Sequence, residues 1–226
     1  ALVIRYGQLL PGNSPWLPLP ILFVTALLAM VWMMNLYNFM DGMDGFAAGM
    51  AVIGLSSYAI FGWMAQQPLF ALTSLLLASA SGGFLLFNLP PARLFMGDVG
   101  SLPLGFMVAV LSLWGLRDAI FPLWVPLLVF AVFIVDASVT LLRRSLRREP
   151  IWQAHRTHYY QKLVVIHGWS HARTVYSEYG LMLAGSGSAL WCLHGGGIDY
   201  LPLLSIGWAA LFTLLAYWID YRMAAS

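Results

Sequence analysis

Charged residues are scarce in this chain. Lysine, arginine, aspartate and glutamate together make up 9% of its 226 residues, whereas soluble domains contain about 25%. Hydrophobic residues make up 61%. This composition excludes a water-soluble domain and predicts an integral membrane protein. Because the apolar runs are continuous rather than alternating, they predict membrane helices and exclude a transmembrane β-barrel.

Cysteine and the signature motifs of many enzymes are also scarce or missing. The single cysteine, Cys192, lies in an apolar run, so a disulfide framework is excluded and a packed thiol is expected. The chain has no Walker loop, Gly-x-Ser-x-Gly elbow, His-Glu-x-x-His motif, Cys-x-x-Cys cluster or dinucleotide fingerprint. Enzymes that depend on these motifs are therefore excluded, and no nucleic-acid partner is expected.

Long apolar runs are abundant instead. A helix needs about 20 residues to cross a bilayer, and seven stretches reach or approach that length. The predicted spans cover residues 16–36, 46–64, 68–87, 102–116, 120–142, 175–193 and 201–219. The predicted fold class is all-α, a polytopic helical bundle in the membrane that forms a single domain over residues 1–226.

Basic residues are distributed unevenly about these spans. With the loop at residues 35–45 in the cytoplasm, nine of the eleven lysines and arginines fall on that side, and only Arg5 and Arg117 fall on the other. This asymmetry satisfies the positive-inside rule. The same side receives three polar loops, near residues 37–45, 88–100 and 143–174. We therefore expect the working face to be cytoplasmic.

Two amides and two carboxylates stand three residues apart at the end of the first predicted span. They are Asn35, Asn38, Asp41 and Asp44. A three-residue step advances a helix by about 300°, so Asn38 and Asp41 are near neighbours on one face. An aspartate at a helix centre costs roughly 2.5–3.5 kcal/mol in a bilayer and persists where it has a partner, a metal or a water-filled cavity. The stretch predicts one wall of a cation or phosphate site.

A second acidic motif precedes the fourth predicted span. Asp98 stands between Gly97 and Gly100, where exposed backbone N–H groups and a helix start favour anions. Its carboxylate suits Mg²⁺, which takes oxygen ligands and usually keeps substrate phosphates in its shell. The alternative is that Asp98 only caps the helix. Its place on the same membrane face as Asn38 and Asp41 favours the ligand role.

Four arginines follow the fifth predicted span. Arg143, Arg144, Arg147 and Arg148 span about 140° of one helix face. They could hold phosphates bidentately, or they could meet anionic headgroups at the membrane surface. Asp136, about two turns inside the same span, is either a functional carboxylate or the structural partner of an arginine.

The loop that follows carries two histidines three residues apart. His155 and His158 stand beside Arg156 and Lys162. This group could grip a pyrophosphate or shuttle protons. It could also form a solvated amphipathic helix whose aromatic residues rest on the membrane surface.

Taken together and in order, three stretches resemble one family of membrane enzymes. They are Asn-x-x-Asn-x-x-Asp-Gly-x-Asp-Gly at 35–45, Phe-Met-Gly-Asp-x-Gly-Ser at 95–101 and His-Arg-x-His at 155–158. The resemblance is to the polyprenyl-phosphate N-acetylhexosamine-1-phosphate transferases of glycosyltransferase family 4. These include phospho-MurNAc-pentapeptide translocase and the enzymes that start O-antigen and teichoic acid synthesis. The resemblance covers the whole chain, span by span, and is strongest to the O-antigen or capsule-initiating branch.

The resemblance implies a reaction, a cofactor and partners. A phosphate oxygen of undecaprenyl (polyprenyl) phosphate attacks the β-phosphorus of a UDP-N-acetylamino sugar, so that polyprenyl-diphospho-sugar forms and UMP leaves. Mg²⁺ neutralises the diphosphate. The expected setting is the bacterial inner membrane with the active face in the cytoplasm, and a homodimer is compatible with it. The expected role is to initiate O-antigen, capsule or other cell-envelope polysaccharide synthesis.

Carried over by position, the resemblance also assigns residues. The expected metal ligands are Asp98 and Asn38. The expected catalytic residues are Asp41, Asp44, Asp98 and His158. The substrate-binding residues expected from the resemblance include Asn38 and Arg156. Further substrate-binding residues are expected from the polar segments on the same face: Asn35, Arg93, Gly97, Arg143 and His155. Tyr160-Gln161 stands where two adjacent histidines are frequent in the family, which leaves the sugar open.

The chain departs from the family at its front. The family carries an adjacent aspartate pair on an earlier cytoplasmic loop and further spans before it, and neither is found here. We therefore expect this chain to be the C-terminal part, about two-thirds, of a longer enzyme. Two other classes stay open. A secondary transporter would suit Asp136 and Gly-rich broken helices but would favour paired repeats and midplane polar groups. A non-catalytic membrane subunit would leave the motif pair unexplained.

Overall fold

The computed structural model describes residues 19–150, 157–195 and 197–224, and over these ranges the chain is helical with no strand. The helices are α1 (Leu19–Met40), α2 (Phe46–Met64), α3 (Pro68–Asn88), α4 (Gly97–Arg117), α5 (Trp124–Val129), α6 (Ala131–Leu146), α7 (Tyr159–Val165), α8 (His171–His194) and α9 (Leu201–Ala224). A 3₁₀ turn at Gly197–Tyr200 precedes α9. The predicted all-α fold class is confirmed.

Five of the described helices are long and apolar enough to cross a membrane. The candidate spans are Pro20–Met40, Phe46–Met64, Pro68–Asn88, Gly97–Arg117 and Leu201–Tyr221. The chain is therefore a multi-pass membrane protein. These are two fewer than the seven spans predicted. Residues 175–193 do lie in a helix, the 24-residue α8, but its glycines, serines and Glu178 lower its hydropathy.

The prediction of one continuous span over residues 120–142 is wrong. The segment forms two helices, α5 and α6, with a turn at Phe130, where φ is −100° and ψ is 16°. Pro122 and Pro126 lack the N–H that a continuous helical ladder needs, so regular helix begins late in this segment. The Phe130 ring is fully buried and lies 5.6 Å from the Tyr58 ring. The segment is apolar throughout, so its hydropathy gives no sign of the break between α5 and α6.

The core fixes the ends of α1 and α2, between which the first acidic motif lies. Tyr37, Phe46 and Phe133 are fully buried. The Phe133 ring on α6 lies 5.3 Å from Tyr37 and 4.9 Å from Phe46, both in edge-on contact. Such aromatic pairs are worth about 0.5–1.5 kcal/mol beyond their buried area. In addition, α1 packs along α4, and α2 packs against α3 and α8.

The second acidic motif forms the first turn of α4 rather than a loop before it. The helix begins at Gly97, five residues earlier than the predicted span. Gly97 has a φ of +59°, a left-handed conformation that glycine adopts without strain. Asp98 consequently lies in the first helical turn. Because α1 and α4 run side by side, this turn stands at the same end of the bundle as the end of α1.

Replacing Gly49 by alanine should destabilise the bundle. A Cβ on Gly49 would overlap the ring and hydroxyl of Tyr179 on α8. Overpacking of this kind costs about 1–3 kcal/mol. Thermal unfolding in detergent measures the effect. The matched control is Gly187→Ala on α8, where no atom lies within 4 Å of the added Cβ. That variant should be neutral or slightly more stable, and equal unfolding temperatures for the two variants would contradict the packing.

Candidate functional site

The two acidic motifs meet at one end of the bundle. Asn38, in the last turn of α1, donates from Nδ2 to Asp98 Oδ1 at 2.7 Å. The same Nδ2 lies 3.2 Å from the hydroxyl oxygen of Ser101, which is fully buried. Asn38 and Asp98 are sixty residues apart along the chain. The structure therefore brings together the two predicted metal ligands.

Asp41 lies against the start of α4, beside Asp98. A backbone hydrogen bond from Gly97 reaches its carboxylate, and the negative charge of Asp98 acts on it. Partial burial is the main cause that raises the pKa of Asp41 to about 6, the charge of Asp98 raises the pKa further, and the Gly97 bond opposes the rise. Two carboxylates that repel each other in this way form a place where a cation would be stabilised.

The chemistry of this cluster fits a magnesium ion that is shared with a substrate. No group of three or more His, Cys, Asp or Glu side chains able to hold a metal is found within the described ranges. Mg²⁺ does not need such a cage, because it is usually held by one or two carboxylates, with substrate phosphates and water completing its shell. Asp98 and Asp41 supply two carboxylates, and Asn38 supplies an amide oxygen beside them.

Asp44 holds neighbouring loops together. Its Oδ2 accepts a hydrogen bond from the backbone N–H of Ala92 at 3.0 Å and lies 4.0 Å from His171 Nδ1. The next residue, Gly45, donates its N–H to Asn88 Oδ1 at 2.9 Å, and its carbonyl accepts a 2.5 Å bond from the Tyr179 hydroxyl. The second Asp-Gly pair thus joins the α1–α2 link to the loop after α3 and to α8.

His158 is bound to Asp136 rather than exposed in a solvated loop. Its side chain is 2% exposed, and its Nδ1 lies 3.1 Å from Asp136 Oδ1. Asp136 also accepts hydrogen bonds from the backbone N–H groups of Tyr159 at 2.9 Å and Tyr160 at 3.0 Å. The carboxylate therefore caps the N-terminus of α7, where negative charge is favoured. Of the two roles left open for Asp136, an ion pair with arginine is not seen among the described residues.

Helix α7 docks on the loop that contains Asp41. The Tyr160 hydroxyl donates to the carbonyl of Phe39 at 3.1 Å. The same hydroxyl lies against Gly42, where a Cβ would overlap it. The His158 ring stacks on Phe39 with centroids 6.0 Å apart. His158 and Tyr160 consequently lie against the end of α1 and the link after it, the stretch that carries Asp41.

Other predicted site residues are placed differently. Asn35 donates from Nδ2 to the carbonyl of Val31 in its own helix, at 2.7 Å. Arg143 pairs with Asp220 on α9. Among the described residues, neither side chain forms a hydrogen bond or ion pair with Asn38 or Asp98. Arg93 is exposed in the loop between α3 and α4, and His155 and Arg156 lie outside the described residues.

Sequence reasoning missed several residues that shape this site. Ser101 stands three residues after Asp98, the helical spacing that could have indicated a shared face. Asn88 is the last residue of α3 and opens the loop that holds the second motif, and its Nδ2 donates to the Leu94 carbonyl at 2.8 Å. Tyr179 gave no local signal, because its role depends on how α8 packs against α2.

Comparison with known proteins agrees with the family resemblance of the two acidic motifs. The sequence model of "Glycosyl transferase family 4" matches residues 3–116, which contain both acidic motifs. The "probable undecaprenyl-phosphate N-acetylglucosaminyl 1-phosphate transferase" of Bacillus subtilis (strain 168) is 36% identical over 166 residues, covering 73% of this chain and 45% of that protein. The "phospho-N-acetylmuramoyl-pentapeptide-transferase" of Levilactobacillus brevis is 30% identical over 186 residues, covering 81% of this chain and 55% of that protein. The chain spans about half the length of the curated relatives it matches.

Proposed function

The chain belongs to glycosyl transferase family 4, and on that premise we propose that it transfers a phospho-N-acetylamino sugar from a UDP-sugar to polyprenyl phosphate. The products are polyprenyl-diphospho-sugar and UMP. A phosphate oxygen of the lipid forms a bond to the β-phosphorus, and the bond from that phosphorus to the bridging oxygen breaks, so the leaving group is UMP. The names of the relatives, which describe phospho-sugar transferases, support this reaction.

The observation that carries the proposal is the hydrogen bond between Asn38 and Asp98. It joins the two most specific motifs of the sequence at one end of the bundle, with Asp41 beside them. We assign Asp98 and Asn38 as the residues that hold Mg²⁺, and Asp41 as a second carboxylate in the same site. When bound, Mg²⁺ supplies charge neutralisation for the diphosphate.

The residues of the chain have distinct tasks in this proposal. The amide of Asn38 fixes the Asp98 carboxylate through Oδ1, so that its second oxygen is oriented for a cation. Asp44 positions the loop after α3 through the Ala92 N–H. His158, oriented by Asp136, holds the histidine loop against Phe39. Gly97, Arg93, His155 and Arg156 are proposed for the sugar nucleotide, whereas Asn35 and Arg143 are not included, because their side chains bond elsewhere.

The finer assignments also belong to the proposal. The curated relatives are named for N-acetylglucosaminyl and N-acetylmuramoyl substrates, and both groups are N-acetylated amino sugars. We propose the bacterial inner membrane, a cytoplasmic active face and a role in starting a cell-envelope polysaccharide. The orientation is supported by the charge asymmetry of the loops. A homodimer stays a prediction. Family membership favours the transferase over a transporter or a non-catalytic subunit.

Membranes that contain the protein, expressed from its complete gene, should release UMP from a UDP-N-acetylamino sugar. The release should require both polyprenyl phosphate and Mg²⁺, because the acceptor supplies the nucleophile and the cation offsets the charge of two phosphates. Mass spectrometry of the lipid product identifies the sugar. Flux of a solute across sealed vesicles without any UMP release would instead support a transporter and contradict the proposal.

A further inference from the structure

A pocket lined largely by charged residues shares no lining residue with the acidic cluster. It has a volume of about 390 Å³ and is bounded by α6, the loop after it, α7 and the end of α9. The charged residues that line it are Arg143, Arg144, Arg147, Glu149, Lys162 and Asp220. None of the residues assigned above to the magnesium site lines it.

Positive charge exceeds negative charge in this pocket. Asp220 is shared between Arg143 and Lys162, whose Nζ lies 2.8 Å from Asp220 Oδ1. Glu149 lies 3.4 Å from Arg144. The two carboxylates therefore face four cations, and Arg147 forms no ion pair with a described carboxylate. An anion that enters the pocket meets two surplus positive charges.

One hydrogen-bond donor of the pocket is also unused. Arg144 donates from an Nη to the carbonyl of Pro150 at 2.7 Å. Its Nε, however, is buried and makes no hydrogen bond among the described residues. Buried donors are nearly always paired with protein, water or a ligand. Arginine presents its donors in a planar fork that matches a phosphate, so Arg144 and Arg147 together suit such a group.

Apolar side chains beside the pocket place it at the bilayer surface. Leu142 and Leu146 on α6 are 60% and 76% exposed, and they are the immediate neighbours of Arg143 and Arg147. On α9, Tyr217 and Tyr221 are exposed beside Asp220, at the end of the apolar span Leu201–Tyr221. Tyrosines and basic residues next to exposed leucines are typical of the headgroup level of a membrane.

We propose that this pocket binds the phosphate of an anionic phospholipid. The Arg144 and Arg147 guanidiniums hold the phosphate, and the acyl chains lie along Leu142 and Leu146. A membrane lipid is favoured over a soluble phosphate because the basic surface and the exposed leucines are adjacent. This inference does not depend on the proposed transferase activity.

The test measures lipid retention on the purified protein, expressed from its complete gene. The protein is extracted from vesicles of equal phosphatidylglycerol and phosphatidylcholine, and native mass spectrometry gives the ratio of the two retained lipids. Arg144→Gln/Arg147→Gln should reduce the phosphatidylglycerol preference about fivefold per arginine or more, because each change removes a charge-assisted hydrogen bond to the phosphate. The matched control is Arg148→Gln, which removes the same charge one residue outside the pocket and should keep the preference.

Three results would overturn the inference. An unchanged preference in the double variant would show that the pocket holds no lipid, and an equal loss in Arg148→Gln would show a diffuse surface charge. Displacement of phosphatidylglycerol by one equivalent of polyprenyl phosphate, or by inorganic phosphate, would assign the pocket to another phosphate. Arg147→Gln alone removes an exposed side chain and should fold normally, so its expected fivefold effect separates lipid binding from misfolding.

Discussion

Replacing Asp98 by asparagine should lower the rate of phospho-sugar transfer at least about a hundredfold, the scale on which preorganised electrostatic groups act at a reacting centre. Asparagine has the same shape, and its amide oxygen can still accept the hydrogen bond from Asn38. The substitution therefore removes the negative charge that holds the cation while it preserves the link between α1 and α4. The initial rate of UMP release in membranes, at saturating Mg²⁺, measures the effect.

Two controls make this result specific. Asp98 is exposed, so the variant should be expressed and should unfold at the same temperature as the unmodified protein. Asp199→Asn removes an equivalent charge in the turn Gly197–Tyr200 and should keep the full transfer rate. A full rate in Asp98→Asn, or an equal loss in both variants, would contradict the role assigned to Asp98.

Replacing Asp136 by asparagine should loosen α7 and, through it, impair transfer. The carboxylate of Asp136 is buried and accepts the His158 Nδ1 contact together with the Tyr159 and Tyr160 N–H groups. An amide offers one acceptor oxygen and no charge, so at least one of these partners stays unpaired. A buried polar group without a partner costs about 1–3 kcal/mol. Hydrogen exchange at the Tyr159 and Tyr160 amides should be about tenfold faster or more.

In the hydrogen-exchange experiment, the backbone amides of α2 serve as the internal reference. Amides of α2 lie in the core and should exchange at the rate of the unmodified protein, because the change is local to α7. Loss of protection in α2 as well would show general unfolding. Unchanged protection at Tyr159 and Tyr160 would contradict the capping role of Asp136 and the docking of the histidine loop that depends on it.

Much of the fold follows from composition, because a bilayer admits few architectures. Long apolar runs must be helices that satisfy their own backbone groups, and short links and the charge asymmetry then set which loops share a side. This alternation predicts that Asn38 and Asp98 lie on the same side of the membrane, whereas their hydrogen bond depends on the packing of α1 along α4. The turn at Phe130 could not be predicted from the sequence, because hydropathy averages over such a break. The number of spans is overestimated because glycines and serines lower the hydropathy of α8.

The side-chain partners of the site could not be predicted in the same way. Asp136 and His158 are 22 residues apart, and their contact depends on how the chain reverses after α6. Arg143 and Asp220 are 77 residues apart. Local patterns show that an arginine and a carboxylate each need a partner, but several candidates satisfy that need equally well. Only the packing of α9 against α7 selects Asp220.

The most direct test is the position of the metal. Crystals of the protein with Mn²⁺ in place of Mg²⁺ and a UDP-N-acetylamino sugar should show an anomalous peak at the cluster of Asn38, Asp41 and Asp98. An Asp98 carboxylate oxygen should coordinate this metal, and the diphosphate of the UDP-sugar should be bound to the same ion. A metal and diphosphate bound elsewhere, for example in the arginine pocket at the end of α6, would contradict the proposed site.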